Sequence, residues 1–98
     1  MRIELINAPS KAFLEMILHN VRVSDRKRLE IAHTGAVGLI QAALIDLFKS
    51  ADLAEKASDV ITALVLGNCP QHIQMLAIFG KQAGVKTALN KINEIYNK

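Results

Sequence analysis

The 98-residue sequence holds one cysteine, no tryptophan, one tyrosine and two prolines. A single thiol excludes a disulfide framework within the chain and fits the reducing cytosol. With so few aromatic residues the core must be aliphatic, and a platform for stacking nucleic-acid bases is missing. Neither sign of charge dominates: the formal net charge of +3 is too small to argue for nucleic acid. No apolar run approaches the roughly 18 residues needed to span a bilayer. No continuous apolar segment follows Met1-Arg2-Ile3-Glu4, so no signal peptide is expected. These absences predict a soluble cytoplasmic protein with neither a nucleic-acid nor a membrane partner.

What is present predicts a folded domain. Hydrophobic residues make up 51% of the chain and charged ones 21%, outside the range of disordered sequences. At this length residues 1–98 form one domain with a modest core. So high an apolar fraction in so short a chain predicts that some apolar surface is buried between subunits.

Along the chain, Arg2-Ile3-Glu4-Leu5-Ile6-Asn7 alternates polar with apolar residues and predicts a half-solvated strand. Asn7, Pro9 and Ser10 are helix-start residues, and Phe13, Met16 and Ile17 follow at helical spacing to about His19. Residues 1–19 therefore read as a βα unit. Residues 20–34 break the pattern and read as a connector, with Ser24 capping a helical turn over Arg26 to Glu30 and Gly35 as punctuation. Ala36 to Gln41 is a short apolar strand. Ala43, Leu44, Leu47, Phe48, Ala51 and Ala54 then form one face of a helix, with Asp46, Lys49, Ser50, Asp52 and Glu55 opposite. Val60–Leu66 and Ile73–Phe79 read as the strands of a hairpin. Gly80 ends the second, and Val85, Ala88, Leu89 and Ile92 mark a closing helix from about Gln82 to Tyr96. Residues 35–98 are thus a βαββα body. The expectation is an α+β fold, a mixed sheet with helices packed on it, in which the strand–helix–strand crossover runs its two strands parallel.

Two groups of residues invite a chemical reading. Arg22, Arg26, Lys27 and Arg28 form a basic cluster without interleaved aromatics, read as a solvated or subunit-contacting face. The other is Gly67-Asn68-Cys69-Pro70-Gln71-His72, a polar loop between the two hairpin strands that carries the only cysteine. Cys69 lies outside the apolar runs and so does not simply fill core space. Pro70 stiffens the backbone beside it, and His72 is near enough in sequence to influence its ionisation or share a ligand. A structural zinc or an iron–sulfur cluster takes about four protein ligands. One chain offers one cysteine, so metal binding requires several copies of the loop around a symmetry axis. A thiol enzyme is the competing reading, with Cys69 as nucleophile and His72 as base.

The segment from Gly35 to about Asn93 resembles the bacterial microcompartment shell domain. Ala36-Val37-Gly38-Leu39-Ile40 is similar to that family's first-strand motif, and residues 51–60 to the end of its first helix, including the lysine at Lys56. Phe79-Gly80 followed by Val85-Lys86-Thr87-Ala88-Leu89 resembles its glycine-then-helix segment. The usual form begins at the strand matching Ala36 and carries a further strand and short helix at its C-terminus. Here a βα unit stands in front instead, which resembles the circularly permuted members. Among those, a Gly-x-Cys-Pro-x-His loop, matched by Gly67, Cys69, Pro70 and His72, resembles the iron–sulfur-binding shell proteins of glycyl-radical propanediol microcompartments.

This resemblance implies a non-enzymatic shell protein forming flat homo-hexamers, tiled with other shell proteins around encapsulated enzymes. The loop from Gly67 to His72 would line the central pore. Cys69 would be the metal ligand, its copies sharing an iron–sulfur cluster of the 4Fe–4S type, with only a subset binding because a cubane lacks sixfold symmetry. Gly67 would let the backbone turn and Pro70 would hold it, while Asn68, Gln71 and His72 would line the pore or tune the cluster by hydrogen bonds. The cluster would carry electrons across the shell, pass through as cargo, or plug the pore. Lys56 would lie at the hexamer edge; read by itself it is a solvated lysine favourable to a helix dipole. The alternatives are a metal-free pore-forming hexamer, the thiol enzyme, and a regulatory oligomer holding an anion through Arg22, Arg26 and Arg28.

Overall fold

The computed structural model describes residues 1–30, 34–66 and 73–97. Its elements are β1 (Arg2–Asn7), α1 (Lys11–His19), α2 (Val23–Glu30), β2 (Ala36–Ala43), α3 (Leu44–Ala57), β3 (Ile61–Val65), β4 (Ile73–Gly80) and α4 (Gln82–Tyr96). The strands form one sheet in the order β1-β2-β4-β3, and every neighbouring pair is antiparallel. The predicted α+β architecture is what the chain adopts. The crossover strands β2 and β3 do run in the same direction, but β4 lies between them, so the sheet expected to be mixed has no parallel neighbours. The reason is burial. Leu76, Ala77, Ile78 and Phe79 are at most 2% exposed, and a strand apolar on both faces belongs in the middle of a sheet.

The predicted helix starts are realised unevenly. Ser10 caps α1, its hydroxyl oxygen accepting the Phe13 N–H at 3.1 Å, which satisfies one of the donors a helix start leaves unpaired. Ser24 caps nothing. The connector forms a full helix, α2, whose first turn closes on the Arg22 carbonyl with N–H bonds from Asp25 and Arg26. Val21 and Leu29 are buried in the connector region, so tertiary packing stabilises a segment too polar to announce itself by periodicity.

Each face of the sheet has its own core. On one, Ile40, Leu76 and Ile78 pack with Leu47 and Ala54 of α3 and with Val85, Ala88, Leu89 and Ile92 of α4. Gly38 belongs to this face, where a Cβ would stand 2.9 Å from Leu89 Cδ2. On the other, Val37, Ala63, Ala77 and Phe79 pack against Ile17, Val21 and Leu29.

One helix face departs from expectation. In α3 the buried residues are Leu47, Ser50 and Ala54, while Leu44, Ile45 and Phe48 are 37%, 77% and 58% exposed. The inward face is rotated away from Phe48 and towards Ser50. Small residues at 50 and 54 let the helix settle closely onto the sheet, and the bulky Phe48 is left outside.

Candidate pore loop and the sheet end that carries it

The loop Gly67–His72 lies outside the described residues; the structure defines the frame from which it leaves. The hairpin is antiparallel as predicted, with Val65 opposite Met75 as its last pair. Ile73, the first residue after the loop, pairs with Ala43, the last residue of β2 before α3 begins. Arg2 opposite Gln41 completes this end of the sheet. The near side of the loop is anchored by α1: the Leu66 N–H donates to the Asn20 carbonyl at 2.6 Å, and Asn20 Nδ2 donates to the Met16 carbonyl at 2.8 Å.

The edge strand β3 is held from both faces of the sheet. Arg28 Nη2 donates to the Thr62 carbonyl at 3.0 Å and to Asp25 Oδ1 at 2.9 Å, while Thr62 Oγ1 donates to Glu55 Oε2. An edge carbonyl engaged this way is withdrawn from pairing with a foreign strand. Arg26 Nη2 donates to the His19 carbonyl at 3.1 Å. Two members of the basic cluster thus brace the fold, which argues against the anion-binding reading of Arg22, Arg26 and Arg28.

The predicted ligand Cys69 and its neighbours Gly67, Asn68, Pro70, Gln71 and His72 all fall outside the described residues. Among the described residues, no group of three or more His, Cys, Asp or Glu could hold a metal ion. Lys56 is exposed at the C-terminal end of α3 and pairs with Asp52 at 2.8 Å. Beside the loop, the sheet leaves a shallow concavity of about 270 Å³ lined by Arg2, Glu4, Leu39, Gln41 and Met75. Nearby, the Tyr96 phenol is pushed above its ordinary pKa, first by loss of water contact and then by the charge of Asp46. The exposed apolar turn of α3 was missed from sequence. Its signal was Ile45, an apolar residue that fits no place in the expected inward stripe.

No protein-family model matches the chain, and no curated protein does. Solved structures do. The ligand-free GrpU microcompartment shell protein from Pectobacterium wasabiae is 33% identical, the match spanning 94% of this chain and 99% of that one with a TM-score of 0.80. The chain belongs to the microcompartment shell proteins. The ligand-free GrpU shell protein from Clostridiales bacterium 1_7_47FAA is also similar, at 26% identity over 100% of this chain and 94% of that one, with a TM-score of 0.73. A fused permuted hexameric shell protein from the RMM microcompartment, 18% identical, shares the fold over 96% of this chain and 45% of its own length, with a TM-score of 0.69. The shell protein therefore has the permuted arrangement that its leading βα unit predicted. It is structural and not an enzyme, which removes the thiol-enzyme reading of Cys69 and His72. Its place is the shell of a microcompartment. Among the described residues no helix is long and apolar enough to cross a membrane.

Proposed function

We propose that the shell protein forms a homo-hexameric ring in which the Gly67–His72 loops converge on a central pore and their Cys69 thiols hold an iron–sulfur cluster, of the 4Fe–4S type. The observation that carries this reading is the donor count. The chain has one cysteine, it lies in the loop between β3 and β4, and a cluster takes about four ligands. A single copy is insufficient, and a ring of six has thiols to spare. The residues that flank the loop are tied down, Leu66 to Asn20 and Ile73 to Ala43 in the β2–β4 pairing, which supports a loop held at both ends by the sheet. Gly67 and Pro70 shape the turn; Asn68, Gln71 and His72 line the pore and offer polar groups to the cluster sulfurs. Held there, a cluster supplies one-electron transfer across the shell. The resemblance of the loop to those of glycyl-radical propanediol shells supports an enclosed pathway of that kind. Lys56, exposed at the far end of α3 from the loop, is assigned to the outer edge of the ring, where rings meet in the layer.

Anaerobic purification with size-exclusion chromatography tests the proposal. The expected result is a brown, ring-sized protein with broad visible absorbance, and a Cys69→Ser variant that is colourless at the same mass. A ring that stays colourless after anaerobic reconstitution with iron and sulfide would overturn the cluster in favour of a metal-free pore. A monomer would overturn the ring itself.

A further inference from the structure

We infer that Arg26 is the positioning residue for the near end of the Cys69 loop: through the last turn of α1 it fixes Leu66, the last described residue before the loop. The inference rests on the proposed reading of this loop as the working part of the protein, and on neither the ring nor the cluster.

The residues on the two sides of the loop are held by different means. Ile73, on the far side, is a rung of the β2–β4 ladder opposite Ala43. Leu66, on the near side, lies past the last β3–β4 pair, Val65 with Met75, and is 47% exposed. Neither the ladder nor the core fixes it. Its N–H donates instead to the Asn20 carbonyl at 2.6 Å, so the placement of Leu66 follows that of Asn20.

Asn20 closes α1. Its N–H donates to the Ile17 carbonyl at 3.0 Å and its Nδ2 to the Met16 carbonyl at 2.8 Å, satisfying two of the acceptors that a helix end leaves unpaired. Both bonds are internal to this helix end. The side-chain bond that ties it to another element comes from α2, where Arg26 Nη2 donates to the His19 carbonyl at 3.1 Å. That carbonyl belongs to the same peptide unit as the Asn20 N–H. A guanidinium at the C-terminal carbonyls is also favoured by the helix dipole. Arg26 is half-buried, with its Nε out of contact with solvent, and a hydrogen bond shielded from water is the stronger for it. Arg28 makes the matching bond to the Thr62 carbonyl of β3. The two arginines therefore divide the work of one polar helix: Arg28 holds the edge strand, and Arg26 holds the residue that leads into the loop.

The test uses the full-length protein, reduced and metal-free, and reads amide exchange at Leu66 together with the rate at which iodoacetamide alkylates Cys69, the only thiol in the chain. Arg26→Ala is expected to speed exchange at Leu66 by at least about tenfold, the scale of one lost hydrogen bond to a charged group, and to raise the alkylation rate severalfold. Arg26→Lys keeps a cationic donor and is expected to recover part of both. Arg28→Ala controls for loss of stability alone: it removes the same kind of bond from the same helix, and both readouts are expected to stay at parent values. A folded Arg26→Ala protein with unchanged exchange at Leu66 would overturn the inference, as would faster exchange with unchanged alkylation. Equal rises in Arg28→Ala would also overturn it, reducing Arg26 to a general brace. Should Arg26→Ala not fold, Arg26→Lys decides: an intermediate rise in both readouts supports the inference, and no change overturns it. Because no metal is present in these measurements, a protein that never takes up a cluster leaves the inference intact, and its failure leaves the cluster and the ring standing.

Discussion

The two faces of the sheet are covered to different extents. Beneath α3 and α4, the face bearing Ile40, Leu76 and Ile78 is closed by Leu47, Ala54, Val85, Ala88, Leu89 and Ile92. On the opposite face α1 and α2 cover Val37, Ala63, Ala77 and Phe79 but leave open the corner of β1 and β2 nearest the loop, where Arg2, Glu4, Leu39, Gln41 and Met75 surround a shallow concavity. The closed face carries stability and the half-open one leaves surface free at the sheet end where Val65 and Ile73 lie. Such a division suits a shell protein, whose working surfaces are its contacts with other copies. Full burial of a large aliphatic side chain contributes about 1.5–3 kcal/mol, so packing beneath α3 and α4 dominates the fold.

Five single substitutions would break or sharpen this comparison. The largest effect is expected at Phe79, 1% exposed at the covered part of the second face: Phe79→Ala should cost about 3–5 kcal/mol in urea unfolding. Met75→Ala, in the open corner of the same face, should cost at most about 1 kcal/mol; equal costs would mean that the two halves of that face are packed alike. On the closed face, Gly38→Ala forces a Cβ to 2.9 Å from Leu89 Cδ2 and should cost about 1–3 kcal/mol by overpacking. Adding Leu89→Val to that chain should recover part of the loss, because the clash is with a side chain. Arg28→Ala removes the bond to the Thr62 carbonyl and should cost about 1–2 kcal/mol, with faster amide exchange confined to β3. Lys56→Ala should change stability least, by under about 0.5 kcal/mol, since its pair with Asp52 is exposed. Electron microscopy of assembled layers then tests its edge role: rings that form but no longer tile are expected, and normal layers would leave Lys56 a solvated lysine.

Much of the fold was legible because apolar spacing survives translation into structure. The strands at Ala36 and Ile73, the hairpin and the helix ending at Tyr96 follow directly from short apolar runs, turn residues and a period near 3.6. Two elements were not legible, each for a physical reason. The connector is rich in Arg, Lys and Asp, so α2 shows no stripe; it exists because Leu29 finds a buried place in the second core. In α3, residues 44, 48 and 51 and residues 47, 50 and 54 both offer helical spacing. Only the proximity of the sheet and α4 decides that small Ser50 goes inward and Phe48 outward. For the candidate site, the sequence named Cys69 and its loop and supplied the donor count. The ends from which the loop springs, and the apolar turn next to it, became visible only in three dimensions.

The lone thiol, its place in the Gly67–His72 segment and the arithmetic that one chain cannot supply all the ligands of a cluster were determined by sequence alone, because residue type and number fix how many ligands one chain can offer. The tertiary structure decided the order of the strands. It set β4 between the crossover strands, since the strand apolar on both faces must be central, and thereby brought the end of β2 and the start of α3 beside the loop. That juxtaposition joins residues 43 and 73, far apart in the chain, and no local pattern encodes it.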